Sequence, residues 1–193
     1  MADYTTGIII LAAGSSSRLG QPKQLVKYQG KTLLTRATEA AKEVADGAVI
    51  VVTGAHEQLI KAEVAEIDVH IVHNPLWQQG MASSINAGIS ALPSGTQQAI
   101  IMLCDQPFAD AALLKEMIDQ QRLHDSKLVA CTYGGSTGVP ALFDQTLFAE
   151  LLELKGQEGA KKIIQKYREQ ATIIPFEKGS IDIDTPPDLE HLR

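Results

Sequence analysis

Residues 11–23 read LAAGSSSRLGQPK, a run of small side chains that follows an apolar stretch and carries two cations, Arg18 and Lys23, five residues apart. A loop with so little bulk lets a ligand reach the backbone, and open N–H groups favour an anion. The guanidinium suits a two-pronged grip on phosphate oxygens, whereas the ammonium acts as a compact charge. Phosphate is therefore the ligand this loop suggests. Its spacing excludes two commoner motifs: no Gly-Lys-Ser/Thr follows at Walker distance, and Gly14 to Gly20 spans too far for the dinucleotide fingerprint. The second absence argues against a nicotinamide-dependent oxidoreductase.

Three further clusters carry chemistry. NPLWQQGMASSINAGI, residues 74–89, opens with a turn at Asn74-Pro75 and leads into a helix start near Gly80. There Ser83 and Ser84 are candidates for capping or for hydrogen bonds to a base and ribose, and Trp77 reads as a packing residue. Asp105 ends the apolar run AIIMLC, at the tip of a strand where ligands gather, while Asp110 lies nearer the next helix and can cap it. Mg²⁺ takes few carboxylates besides phosphate oxygens, so Asp105 needs one protein partner. SIDIDTPPDL, residues 180–189, reads as a strand whose alternation sets Asp182 and Asp184 on one face, then a proline stop and a short helix. The five histidines are dispersed without zinc-site spacing, and no Gly-x-Ser-x-Gly elbow occurs.

These residues need a scaffold that gathers loop tips, and the alternation of short β-branched runs with helical patterns predicts an α/β protein with parallel strands. Strands are expected at 7–12, 48–53, 69–72, 99–104 and 128–132, and helices at 33–44, 57–66, 83–91 and 111–123. Near-continuous apolar strands imply a sheet covered on both faces. Beyond residue 132 the rhythm changes, with helices expected at 145–154 and 159–167 and strands at 172–176 and 180–183, as an appendage or the far edge of the sheet. No linker or repeat interrupts the chain, so residues 1–193 read as a single domain.

Composition narrows the class. With 45% hydrophobic residues and a formal charge of −6, the 193-residue chain is that of a globular protein whose main partner is not nucleic acid. No apolar run reaches membrane-spanning length, and MADYTTGIIILAAG lacks the cationic flank of a secretory signal, which points to the cytoplasm. Cys104 and Cys131 fall in or at the end of apolar runs, where a thiol packs as a small hydrophobe.

With four clusters in order, the chain resembles the MobA-like nucleotidyltransferases, nearest the molybdenum cofactor cytidylyltransferase branch. Residues 11–25 are similar to the loop LAAGxSxRxGxPKxL, residues 74–88 to NPxWxxGMxxSxxxG, and residues 182–189 to DIDTPEDL. The resemblance implies a three-layer Rossmann-like fold with a mostly parallel, twisted central sheet. It also implies that the first loop wraps a nucleoside triphosphate, so that Leu11, Ala12, Ala13, Gly14, Ser15, Ser16, Arg18 and Lys23 bind nucleotide together with Gly80, Met81, Ser83, Ser84 and Asp105. Asp105 and Asp184 would hold Mg²⁺, with Asp182 the lesser candidate and Asp188 capping the terminal turn; Arg18, Lys23, Asp105 and Asp184 form the catalytic set. Ala13 and Pro22, where guanylyl-transferring relatives favour glycine and an acid, lean the donor towards CTP. GGSTGVPALF, residues 134–143, resembles a segment shaping the acceptor pocket, through Gly138 and Pro140. LKGQEGAKKII, residues 154–164, departs from the usual Leu-x-Gly-Asp-x-Gly-Ala-Arg at Gln157 and Lys161.

The expected reaction is transfer of an NMP group to a phosphorylated acceptor, molybdopterin foremost, with release of pyrophosphate. The resemblance adds a molybdoenzyme or chaperone as the candidate protein partner. Transfer from GTP, transfer to a sugar or polyol phosphate, and a binding-only module that chaperones a pterin or nucleotide are the alternatives.

Overall fold

The computed structural model describes residues 5–192. Residues 1–4, part of the N-terminal stretch discussed above, lie outside it. Its centre is a seven-stranded sheet in the order β5-β4-β1-β6-β8-β7-β9. The strands are β1 (Thr6–Leu11), β4 (Val49–Thr53), β5 (His70–His73), β6 (Gln98–Leu103), β7 (Leu128–Tyr133), β8 (Ser136–Asp144) and β9 (Thr172–Pro175). A separate two-stranded hairpin, β2 (Lys27–Tyr28) and β3 (Lys31–Thr32), follows the first loop. All neighbours in the large sheet are parallel except β8, which runs antiparallel to both β6 and β7.

Alternation along β1 explains the three layers. Ile8 and Ile10 point into one core with α1 (Leu33–Val44), α2 (Glu57–Glu63) and α4 (Ala111–His124). Ile9 and Leu11 point into the other, with α3 (Met81–Ser90), α5 (Phe148–Leu152) and α6 (Lys161–Lys166). Ile8, Ile9 and Ile10 are completely buried, and each such side chain contributes roughly 1.5–3 kcal/mol. Helix starts are also legible: Asp110 accepts the Leu113 N–H at 3.0 Å, as expected of a cap, and Thr32 accepts from Thr35 at 3.0 Å. Both cysteines are buried, and burial pushes each thiol up to about 12, which keeps them protonated.

Of the two places offered for the stretch after residue 132, the far edge of the sheet holds: β8 inserts between β6 and β7, and β9 closes the sheet as its edge strand. Two expectations are corrected. Residues 180–183 form no strand: a tight 3-10 turn at Glu177–Ser180 precedes irregular backbone, and a second 3-10 run spans Pro186–Leu192. Two prolines cannot donate to a ladder, and Asp188 captures the N–H groups of Asp184 and Thr185 at 3.1 and 2.6 Å, a local alternative to sheet pairing. The helix expected at 145–154 is split into a 3-10 turn, Gln145–Leu147, and the short α5.

The chain passes from β1 outward to β4 and β5, then crosses back to place β6 on the other side of β1. This reversal opens a crevice at the carboxyl ends of β1 and β6, which pair in register from Thr6↔Gln98 to Leu11↔Leu103.

Candidate active site

Both the small-residue loop and Asp105 leave the sheet at that crevice. The loop's backbone groups divide sharply by polarity. The carbonyls of residues 12–16 are all bonded within the protein. Gln24 Nε2 donates to Ala12 and Gly14 at 2.8 and 3.0 Å, and the Ala55 N–H donates to Ala13 at 3.1 Å. His56 Nε2 lies 3.1 Å from the Ser15 carbonyl, which requires the ring proton on that nitrogen, and the N–H groups of Leu19 and Gly20 take Ser16. Among the described residues, by contrast, the N–H groups of residues 13–18 meet no acceptor. Ser16 has φ +54°, a left-handed conformation that curls such groups into an anion-receiving nest. A Cβ on Gly14 would meet nothing within 4 Å, so no protein atom demands that glycine and its face stays open to the cavity.

Four charged side chains converge beside this nest. The Lys23 ammonium donates to Asp105 Oδ2 and, at 2.8 Å, to Asp184 Oδ1, while Arg18 Nη2 donates to Asp184 Oδ2 at 2.6 Å. Burial disfavours the charged Lys23, yet the charge of Asp105 and the bonds to both aspartates outweigh it and hold its pKa above the ordinary lysine value. Asp182 lies near the same charges. Partial burial and then the negative fields of Asp105 and Asp184 raise its pKa, and Lys23 lowers it only in part.

Apolar neighbours set this meeting. Leu19, just after Arg18, and Ile183, just before Asp184, pack together with Val26 and Leu33 in a small separate cluster, where Ile183 is completely buried. The Ile183 N–H donates to the Asp105 carbonyl at 3.0 Å, so the C-terminal segment is stitched directly to the residue it faces. Gln106 adds a second tie: its Nε2 donates to the carbonyls of Val139 at 3.1 Å and Gly179 at 3.2 Å. A bulge in β8 makes this possible, since Cys131 pairs with Gly138 and Ala130 with Ala141, leaving Val139 and Pro140 unpaired. The Val139 carbonyl also accepts from the Tyr133 hydroxyl at 2.8 Å.

A cavity of about 500 Å³ opens onto the nest and Asp105. Of the residues singled out from sequence, Leu11, Ala13, Gly14, Ser15, Lys23, Gly80, Met81, Ser84 and Asp105 line it. Ala12 is buried in the core below, and Arg18 stands at the exposed rim beside Asp184. Ser16 Oγ is spent on Gln24 Oε1 and the Lys23 N–H. Ser83 caps no ligand-facing end: its single hydroxyl proton is shared between the carbonyls of Leu76 and Gly80, its oxygen accepts from Asn74, and it lines a neighbouring cavity. Ser84 likewise accepts from Asn74 at 3.0 Å. Neither serine caps α3. The carbonyl of Gly156 accepts the Ala82 N–H at 3.2 Å instead, and a Cβ on Gly80, whose φ is +115°, would fall 2.2 Å from that oxygen. The same docking brings Gln157 to the cavity wall, joined there by Ser17, Trp77, Gln78 and Leu103.

Leu11, Met81 and Leu103 also face a second, largely apolar cavity of about 210 Å³, which reaches Gly138, Val139 and Lys161. Gly138 is fixed by crowding, since a Cβ there would lie 2.4 Å from the Tyr133 hydroxyl; Pro140 is buried in β8 and lines neither cavity.

Asp105 Oδ1 is buried without a hydrogen-bond partner, and the space between the two aspartates already accommodates one cation, the Lys23 ammonium. The donor set thus fits a hard divalent cation that takes two carboxylates. Among the described residues no group of three or more His, Cys, Asp or Glu could hold a metal, so the remaining ligands would be substrate oxygens or water.

An anion nest and a carboxylate pair at the switch point of a parallel sheet define a phosphate-handling α/β enzyme. The chain belongs to the MobA-like NTP transferase family, whose model matches residues 8–171. It is 37% identical to nicotine blue oxidoreductase of Paenarthrobacter nicotinovorans over 51% of this chain, a match spanning only 48% of that enzyme. It is 22% identical to molybdenum cofactor cytidylyltransferase of Escherichia coli, over 94% of this chain and 92% of that one. Its structure is similar to that of Rv0371c from Mycobacterium tuberculosis, with a TM-score of 0.84 and 27% identity over 98% and 97% of the two chains. A manganese complex of Rv0371c matches with a TM-score of 0.81 at 24% identity, over 97% of each chain.

Proposed function

We propose that this protein transfers CMP from CTP to a phosphorylated acceptor, molybdopterin foremost, with Mg²⁺ held by Asp105 and Asp184. The carrying observation is the loop in which every carbonyl from residue 12 to 16 is satisfied while the N–H groups of residues 13–18 are left for a ligand. Such a surface of free donors receives oxyanions and disfavours cations. The adjoining cavity, about 500 Å³, is lined both by the nest and by Gly80 and Met81, which supports one ligand that carries phosphates and a nucleoside. Residues 1–193 act as one domain in this reading.

An acceptor phosphate oxygen attacks the α-phosphorus, the bond to the bridging oxygen of the β-phosphate breaks, and pyrophosphate leaves. The acceptor is already ionised at neutral pH, so positioning and charge stabilisation carry the step without a general base. The nest and Lys23 hold the triphosphate, and Arg18 at the rim offers its fork to outgoing phosphate oxygens. Mg²⁺, when bound, supplies Lewis-acid stabilisation of phosphoryl charge. The acceptor body would occupy the apolar cavity beside Gly138, which Lys161 also lines. CTP is favoured over GTP by Ala13 and Pro22 and by the Escherichia coli relative. The manganese bound by Rv0371c supports a divalent ion of this general kind. No helix among the described residues is long and apolar enough to cross a membrane, in keeping with a cytoplasmic site of action.

A second reading, an oxidoreductase activity, is favoured by the 37% identity to nicotine blue oxidoreductase over half the chain. One experiment separates the two. Purified protein is incubated with Mg²⁺, each of CTP and GTP, and molybdopterin or sugar phosphates, with pyrophosphate as the readout, and in parallel with NAD(P)H. Pyrophosphate formed with CTP supports transfer; nicotinamide oxidation without pyrophosphate overturns it.

A further inference from the structure

Lys23 stands where the two carboxylates meet. Its ammonium bonds to Asp105 Oδ2 and to Asp184 Oδ1, and Arg18 covers the other Asp184 oxygen, so only Asp105 Oδ1 of the four carboxylate oxygens has no partner. An ammonium is a compact charge, and a divalent cation bridging the same carboxylates would lie within a few ångströms of it in a partly buried setting where repulsion is poorly screened. The two cations therefore compete for one place.

The same lysine can reach a second anion. Its backbone N–H is fixed by Ser16 Oγ at 3.1 Å, which anchors the residue to the nest, and its side chain, 19% exposed, forms part of the cavity wall. The four-carbon stem is flexible, so the ammonium has a path from the aspartates into the cavity that the nest also lines. Arg18, with a side chain 71% exposed, is free to follow.

We infer that Lys23 is an internal counter-ion that makes divalent-metal binding conditional on a bound triphosphate. Without nucleotide the ammonium closes the carboxylate pair to metal; an arriving triphosphate draws it away and frees Asp105 Oδ2 and Asp184 Oδ1. This inference rests on the reading of Asp105 and Asp184 as the metal-holding pair. Its consequence is an order of events in which metal adds with or after nucleotide, which keeps the empty enzyme from filling with stray divalent ions.

The test measures Mn²⁺ binding by calorimetry, with no nucleotide and with α,β-methylene-CTP, for the unaltered protein, Lys23→Met and Arg18→Met. Lys23→Met is expected to bind Mn²⁺ at least tenfold more tightly than the unaltered protein when nucleotide is absent, and Arg18→Met by a smaller factor. The tightening of Mn²⁺ binding by the analogue should be at least tenfold smaller in Lys23→Met than in the unaltered protein; chelation by the triphosphate is common to both and cancels in that ratio. Equal or weaker Mn²⁺ binding by Lys23→Met without nucleotide overturns the inference. Should that variant fail to fold, the Lys23 ¹⁵Nζ signal of the unaltered protein serves. It should shift on adding the analogue in EDTA and stay unmoved in millimolar Mg²⁺ alone, and a shift with Mg²⁺ alone overturns the inference. Pyrophosphate release from CTP reports separately on the transfer reading. Its absence beside a Mn²⁺ difference sinks transfer and keeps the counter-ion role, and normal release beside equal Mn²⁺ affinities does the reverse.

Discussion

Replacing Gln24 by leucine tests whether the loop is held open by the protein rather than shaped by its ligand. Gln24 has no exposed surface, and its amide nitrogen satisfies both the Ala12 and the Gly14 carbonyls. Leucine has similar bulk, so no cavity term arises and the cost falls on hydrogen bonding. The bond to Ala12 is buried, and stranding that carbonyl costs about 1–3 kcal/mol; the Gly14 bond is only part-buried, so water limits its loss to about 0.5–1.5 kcal/mol. The total, about 1.5–4.5 kcal/mol, corresponds to a fall in Tm of roughly 3–18 °C for a chain of this size. Urea denaturation should show a lower midpoint with an unchanged slope. Because the freed carbonyls can turn into the nest and confront phosphate, CTP binding should weaken by about tenfold, equivalent to ~1.4 kcal/mol. A stability change below about 0.5 kcal/mol, the range of an ordinary surface substitution, would refute the strut role. Loss of stability with unaltered CTP affinity would refute the link to binding.

Other substitutions probe the remaining supports. Asp105→Asn, which keeps the shape but removes the charge facing Lys23, should lower kcat by about 100-fold or more with Mg²⁺ present, as judged by pyrophosphate release. Gly80→Ala must place its Cβ against the Gly156 carbonyl at a left-handed φ, and a loss of more than about 2 kcal/mol in urea melts, with weaker nucleotide binding, is expected. Gly138→Ala drives the Tyr133 hydroxyl from the Val139 carbonyl; pyrophosphate assays should show a raised KM for acceptor with little change in the KM for CTP. Far from the site, the Lys166 and then the Tyr167 bonds hold Glu150 below the ordinary glutamate value. A depressed carboxylate stabilises the fold above its unfolded pKa and loses that effect as pH falls through the folded one. Glu150→Gln should therefore lower Tm at pH 7, and the difference should vanish in acid.

Elements with strong periodicity were legible: the helix at 33–44, the strand cores and the burial of both sheet faces follow from residue pattern alone. The convergence of Arg18, Lys23, Asp105 and Asp184 was not in that pattern: it was implied by the resemblance of their flanking motifs to the family's. What pattern could not show was set by partners distant in sequence. The insertion of β8 depends on long-range pairing with β6, and its bulge on a Tyr133–Gly138 contact. Asp184 arrives on irregular backbone because Ile183 finds an apolar cluster and the Asp105 carbonyl, which a two-residue alternation does not encode. Ser83 and Ser84 read as helix caps because serines near a helix start commonly are; neither caps α3, and Asn74 bonds both, while Ser84 still lines the cavity. Gln24 and Gln106 were missed as neutral side chains without a charge signature. A glutamine immediately after each of Lys23 and Asp105 was the one signal available.

The most direct measurement follows the α-phosphorus. With CTP labelled at that position, Mg²⁺ and molybdopterin, the label should pass to the acceptor with one pyrophosphate released per transfer, and Asp105→Asn should nearly abolish both. Label that stays in CTP, or passes equally fast with Asp105→Asn, would contradict the account.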